Sequence, residues 1–106
     1  MNLRSYTWSA DGNSDTYTVR SVTNQSQLER IGMTIGGTWD SGSVALMVSV
    51  DKGVTFEPAE SSPGTAAAWD DDTSLILEMP SGARFYLALS GSSSPDLDLN
   101  LSGNIS

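Results

Sequence analysis

The sequence predicts an all-β protein, an antiparallel β-sandwich of jelly-roll or immunoglobulin-like type with roughly seven to nine short strands. Three observations carry this expectation. Apolar and polar residues alternate at a period of two in short runs, which places the apolar set on one face of a strand. The runs are separated by Gly, Pro, Asp, Asn and Ser, the residues that turns require. A sustained 3.6-residue period is missing, and the Ala-rich stretch Thr65 to Asp71 is long enough for one helical turn at most.

Taken in order, Arg4, Tyr6 and Trp8 mark a first strand, and the turn Asp11-Gly12-Asn13 leads to a second around Tyr17 and Val19. Residues 1–13 are read either as an ordinary edge strand or as an N-terminal arm that pairs with a neighbouring subunit. Ile31, Met33 and Ile35 then alternate with Gly32, Thr34 and Gly36, and the pattern runs through Gly37 to Trp39. Asp40-Ser41-Gly42 predicts a hairpin into the run Ser43 to Val50. There Val44, Leu46, Val48 and Val50 share one face and Ala45, Met47 and Ser49 the other, which suits a central, two-sided strand.

Leu75, Leu77 and Met79 alternate with Ile76 and Glu78, and Pro80-Ser81-Gly82 predicts a second hairpin into Phe85, Leu87 and Leu89. After the Ser-rich loop Ser90 to Pro95, Leu97, Leu99, Leu101 and Ile105 lie on one parity, with Asp98, Asn100 and Ser102 on the other. This last strand should keep one face wet.

A length of 106 residues predicts a single domain, residues 1–106, with one modest core. The 38% hydrophobic and 17% charged content fits a sheet protein with polar turns. Five basic against thirteen acidic residues give a net charge of -8, which argues against a nucleic-acid partner and against an anionic lipid surface. No apolar run approaches the roughly 18 residues that span a bilayer. The N-terminus, MNLRSYTW, carries no apolar run of the kind a secretory signal needs, so the sequons at Asn24, Asn100 and Asn104 are read as chance matches.

Cysteine and histidine are both absent, which removes thiolate chemistry, the commonest general base and the commonest zinc ligand together. No cofactor or metal is expected. Asp70-Asp71-Asp72 is weighed as a calcium site against a solvated loop; Asp11-Gly12-Asn13-Ser14-Asp15 begins like a calcium loop, but Thr16 and Val22 stand where Gly and Glu are needed. Glu57, Glu60 and Glu78 supply the carboxylates of a glycosidase by type only, and a nucleophilic Ser or Thr would have only Lys52 or a carboxylate as base. The protein is therefore not expected to be an enzyme, and no catalytic residue is assigned.

One stretch, Ser49-Val50-Asp51-Lys52-Gly53-Val54-Thr55-Phe56, resembles the Asp-box hairpin that sialidases repeat, with Phe56 where that family usually has Trp. In such a turn the carboxylate accepts backbone N–H groups, Gly adopts positive φ and the aromatic packs beneath. The expected structural turn is Ser49, Asp51, Gly53, Thr55 and Phe56. Sialidases resemble this chain nowhere else: that family carries several boxes and an arginine cluster, whereas here the arginines are only Arg4, Arg20, Arg30 and Arg84. Ser9-Ala10-Asp11-Gly12 and Thr38-Trp39-Asp40-Ser41-Gly42 are near copies. The motif reads as a corner rather than as sugar chemistry.

Trp8, Trp39 and Trp69 lie near predicted strand ends or loops, where each is weighed as a contact platform against core packing. The order of features is more informative: Gly37-Thr38-Trp39, the strand Ser43 to Ser49, the turn above, then Phe85-Tyr86-Leu87-Ala88-Leu89-Ser90-Gly91 and Ser94-Pro95-Asp96-Leu97. Over roughly residues 30–102 this order resembles small β-sandwich structural proteins of tailed bacteriophage virions. The resemblance implies a capsid decoration (cement) protein on the capsid exterior, a homotrimer that binds the major capsid protein and stabilises the shell by bridging capsomers, assembled in the host cytoplasm. The alternative is a tail-associated carbohydrate or receptor-binding module that uses Trp39 or Trp69 for stacking.

Overall fold

A computed structural model describes residues 2–20, 28–62 and 65–106. The sequon Asn24-Gln25-Ser26 lies outside them. The protein is an all-β sandwich of two antiparallel sheets. Six long strands build it: β1 (Asn2–Trp8), β4 (Leu28–Thr38), β5 (Ser43–Ser49), β10 (Thr73–Pro80), β11 (Arg84–Ser90) and β12 (Asp96–Gly103). Short pieces complete the edges of the second sheet, β2 (Gly12–Asn13), β3 (Tyr17–Thr18), β6 (Glu57–Pro58) and β9 (Ala68–Trp69), while β7 (Glu60–Ser62) and β8 (Thr65–Ala66) pair with each other in a separate two-stranded sheet.

The first sheet has the order β1-β12-β4-β10, and the second has β2-β11-β5-β6, with β3 also pairing β11 and β9 also pairing β5. Between them lies the core. Ile31, Met33, Ile35, Leu97, Leu99 and Leu101 from the first sheet meet Val44, Leu46, Phe85, Leu87 and Leu89 from the second, all buried. Each fully buried side chain of this kind contributes about 1.5–3 kcal/mol by leaving water. β12 shows the alternation most cleanly, with every Leu buried while Asp98 and Asn100 are exposed.

Both predicted hairpins are corrected. β4 and β5 do not pair: β4 lies between β12 and β10, and β5 lies between β11 and the short strands β6 and β9. Likewise β10 pairs β4 while β11 pairs β5. Each turn therefore carries the chain from one sheet to the other. The turns themselves are tight: Gly42 N–H donates to the Trp39 carbonyl at 2.9 Å with Asp40 and Ser41 at φ 48° and 68°, and Ala83 N–H donates to the Pro80 carbonyl at 3.1 Å with Gly82 at φ 88°. Two strands that face each other across a core show the same period as two that share hydrogen bonds, so alternation alone does not separate the cases.

Residues 2–8 form an edge strand of their own sheet, paired with β12 from Asn2↔Gly103 to Trp8↔Leu97. Val50 lies past the end of β5 and is 81% exposed, because the chain has already begun its turn. The Ala-rich stretch Thr65 to Asp71 forms β8 and β9, with Ala67 buried and its carbonyl accepting from Leu46 N–H.

Candidate functional site

The Ser49–Phe56 turn connects β5 to β6 and folds over the outer face of the second sheet. Ser49 is 1% exposed at the strand end, and its hydroxyl donates to Asp51 Oδ1 at 2.5 Å while accepting from Gly53 N–H at 2.9 Å. Asp51 Oδ1 also accepts from Thr55 N–H at 2.9 Å. These donors, the Ser49 hydroxyl first, hold the Asp51 carboxyl below its ordinary value of 3.8. Lys52 and Gly53 both take positive φ, 63° and 87°. The Arg84 guanidinium braces the tip by donating to the Lys52 carbonyl at 2.7 Å, and Phe56 rests on Tyr86 with centroids 4.9 Å apart. Although Ser49 and Asp51 have the form of a nucleophile beside a base, Ser49 is closed to any substrate.

At the opposite end of the sandwich, Asp11 accepts from Gly91 N–H, Ser92 N–H and the Ser92 hydroxyl. The Ser92 hydroxyl is the main reason that Asp11, too, is held below its ordinary value. Asp40 accepts from Ser94 N–H at 2.6 Å, and Asp72 accepts from Trp39 Nε1 at 2.9 Å and Gly37 N–H at 3.2 Å. These carboxylates clamp loops. Residues 11–15 do not wrap an ion: β2 pairs β11, and Ser14 exchanges hydrogen bonds with Leu87 through its N–H and its hydroxyl. Among the described residues no group of three acidic side chains converges on a metal position. Glu57 and Glu78 stand on different sheets, Glu78 beside Arg30 at 3.5 Å, and the Glu60 side chain lies outside the described ones.

Two of the three tryptophans are removed from the surface. Trp8 is 1% exposed and donates through Nε1 to the Gly12 carbonyl at 3.1 Å; Trp39 is 9% exposed and bound to Asp72 as above. Burial of an indole requires a partner for its N–H, and each finds one within a few residues or across the sandwich end. Neither offers a ring face to a partner. Trp69 is half-buried and, with Val48, Leu75 and Leu77, lines a groove of about 640 Å³ between the free edge of β10 and the β6–β9 side of the second sheet.

The outward faces of the sheets complete the surface, and they differ. On the first sheet, Leu3, Ser102, Gly32 and Ile76 form one cross-strand row and Ser5, Asn100, Thr34 and Ser74 the next. Leu3 and Ile76 are 76% and 65% exposed, and the small residues between them leave a shallow trough of about 650 Å³. On the second sheet the outward residues are Ala45, Met47, Tyr86 and Ala88, all half-buried, with Phe56 laid over Tyr86. Sequence reasoning did not single out these positions as a site, although apolar residues on both parities of β5 and β11 signal a sheet with two dry faces. Compared with protein-family models, with curated proteins and with solved structures, the chain matches none.

Proposed function

We propose that this protein is a structural component of a tailed bacteriophage virion, a capsid decoration protein that lies outside the shell and bridges neighbouring copies of the major capsid protein. The observation that supports a contact role is the outer face of the first sheet. Two exposed apolar side chains, Leu3 and Ile76, flank a floor of Gly32, Ser102, Thr34, Asn100 and Ser74, which carries hydrogen-bonding groups and no charge. Depletion of charge with apolar anchors is what a protein-binding surface needs. The virion setting itself rests on the resemblance described above. Many weak copies on a symmetric shell would gain by avidity what each contact lacks.

Pelleting undecorated capsids with the purified protein tests this reading. Saturable, stoichiometric co-sedimentation that is reduced by Ile76→Asp is expected, and no binding at any concentration would remove the reading. The groove beside Trp69 keeps a carbohydrate-binding module as a second reading, to be tested on a glycan array with Trp69→Ala as the control.

A further inference from the structure

The two sides of the sandwich end differently. At the β1 side, Trp8 is buried and donates through Nε1 to the Gly12 carbonyl on β2, which joins the first sheet to the second. At the β10 side the layers stay apart. The groove between them is lined by Leu46, Val48, Trp69, Leu75, Leu77 and Met79, and two of these, Leu46 and Met79, belong to the buried core. β10 itself is the last strand of its sheet, with β4 on one side and, among the described residues, no strand on the other. Alternate residues of such an edge turn their N–H and C=O groups outward, where an added strand pairs with them.

Edges of this kind are usually blunted by shortness, by Lys, by an inward charge or by a bulge. β10 has none of these devices. It runs for eight residues, pairs β4 without a register shift from Thr73↔Ile35 to Pro80↔Leu28, carries Glu78 as its only charge and has its Pro at the final position. The edges of the second sheet, by contrast, are pieces of two residues. The backbone groups of β10 therefore call for a strand, and the groove below calls for one with apolar side chains at every second position. β10 is such a strand, with Leu75, Leu77 and Met79 on its inward parity. Turned about a two-fold axis that passes through Ile76 perpendicular to the sheet, it also matches itself residue by residue. Ile76, 65% exposed, meets its own copy, Leu75 stands opposite Leu77, and Glu78 stands opposite the Ser74 hydroxyl rather than another carboxylate.

We propose that β10 of one copy pairs antiparallel with β10 of a second copy, joining two four-stranded sheets into one of eight. About six backbone hydrogen bonds form, and Leu75 and Leu77 of each copy point into the groove of the other. The contact is isologous and closes at two copies, in contrast to the homotrimer that the resemblance implies. Because the axis is perpendicular to the sheet, the outer faces of both first sheets look the same way, and their troughs lie side by side on one surface. Seven paired residues of about 3.4 Å, by a two-layer depth of about 20 Å with side chains included, give roughly 500 Å² per copy. The total of about 1,000 Å² is the lower limit of a specific contact, so the dimer is weak and depends on concentration.

The chain has no cysteine, so a single introduced one reports the register cleanly. Residues opposite each other in an antiparallel pair have Cα atoms about 4.5–5.5 Å apart, within the range of about 4.4–6.8 Å that a disulfide spans. On mild oxidation Ile76→Cys should give a covalent dimer, whereas Leu3→Cys, similarly exposed but on the far edge of the sheet, should not. Sedimentation equilibrium of the unmodified chain from micromolar to millimolar should show exchange between one and two copies. Ser74→Glu, which sets like charges opposite each other at both ends of the pairing, should weaken association about fivefold, and Ser74→Glu/Glu78→Ser should recover it. A monomer throughout the range, the result if the chain's own residues cover the edge, would overturn the proposal. So would a mass of three copies, a dimer indifferent to Ser74→Glu, or crosslinking no faster for Ile76→Cys than for Leu3→Cys. None of these measurements involves a capsid, so their outcome is separate from that of the co-sedimentation experiment.

Discussion

Gly53 shows how one residue decides a local structure. Its φ of 87° lies where a side chain is costly, and a Cβ there would come 3.1 Å from Arg84 Nη1. Gly53→Val should therefore destabilise the protein by about 1–2 kcal/mol from the backbone alone, read as a lower urea midpoint with unchanged slope. Asp51 and Asp11 make a different prediction. Both carboxyls sit below their ordinary value of 3.8 in the folded state because hydroxyl and backbone donors favour the anion. A depressed folded pKa gives stability that is full above the unfolded value and is lost as pH falls through the folded one. Thermal melts from about pH 5 down to about pH 2 should thus show a shallower acid loss in Asp11→Asn/Asp51→Asn than in the parent. An identical slope in the two proteins would mean that these carboxylates do not stabilise the fold.

At the scale of elements, most strands were legible because burial imposes a period of two on them. The Leu series of β12 and the Ile31-Met33-Ile35 series of β4 are found on the predicted face. Pairing was not legible. Asp40-Ser41 and Pro80-Ser81-Gly82 are good turn sequences, yet they carry the chain across the core, and nothing local records which of two facing strands will share its hydrogen bonds. Trp8 and Trp39 were hidden for a related reason, since their N–H partners, Gly12 and Asp72, are set by how strand ends meet. The outward Met47 and Tyr86 were visible as apolar residues on the second parity but had no motif to mark them. Gly37 tests the β4–β12 pairing directly: a Cβ there would fall 2.1 Å from the Asp96 carbonyl, so Gly37→Ala should push the strands apart. Amide exchange confined in its increase to residues around 36–38 and 96–98 is the expected signature, and unchanged protection would contradict the pairing.

Across the whole molecule, order along the chain and order in the sheet are far apart. β12, the last long strand, lies between β1, the first, and β4, and it supplies Leu97, Leu99 and Leu101 to the core. Val19 and Ile105 add a further bridge between distant parts of the chain. Removing residues 2–8 should therefore do more than shorten an edge: it strips Trp8 from the core and bares one side of β12, and a sample without a cooperative melt is expected.

Synthesis meets the same arrangement as a problem of timing. A growing polypeptide that has reached residue 90 already contains β1, β4 and β10, but β1 has no neighbour in its sheet because the strand that joins it to β4 does not yet exist. The nascent protein must wait, unclosed and open to proteases and chaperones, until residues 96–103 have left the ribosome. Chains arrested before that point should be digested rapidly, and chains arrested well beyond it should become resistant in a single step.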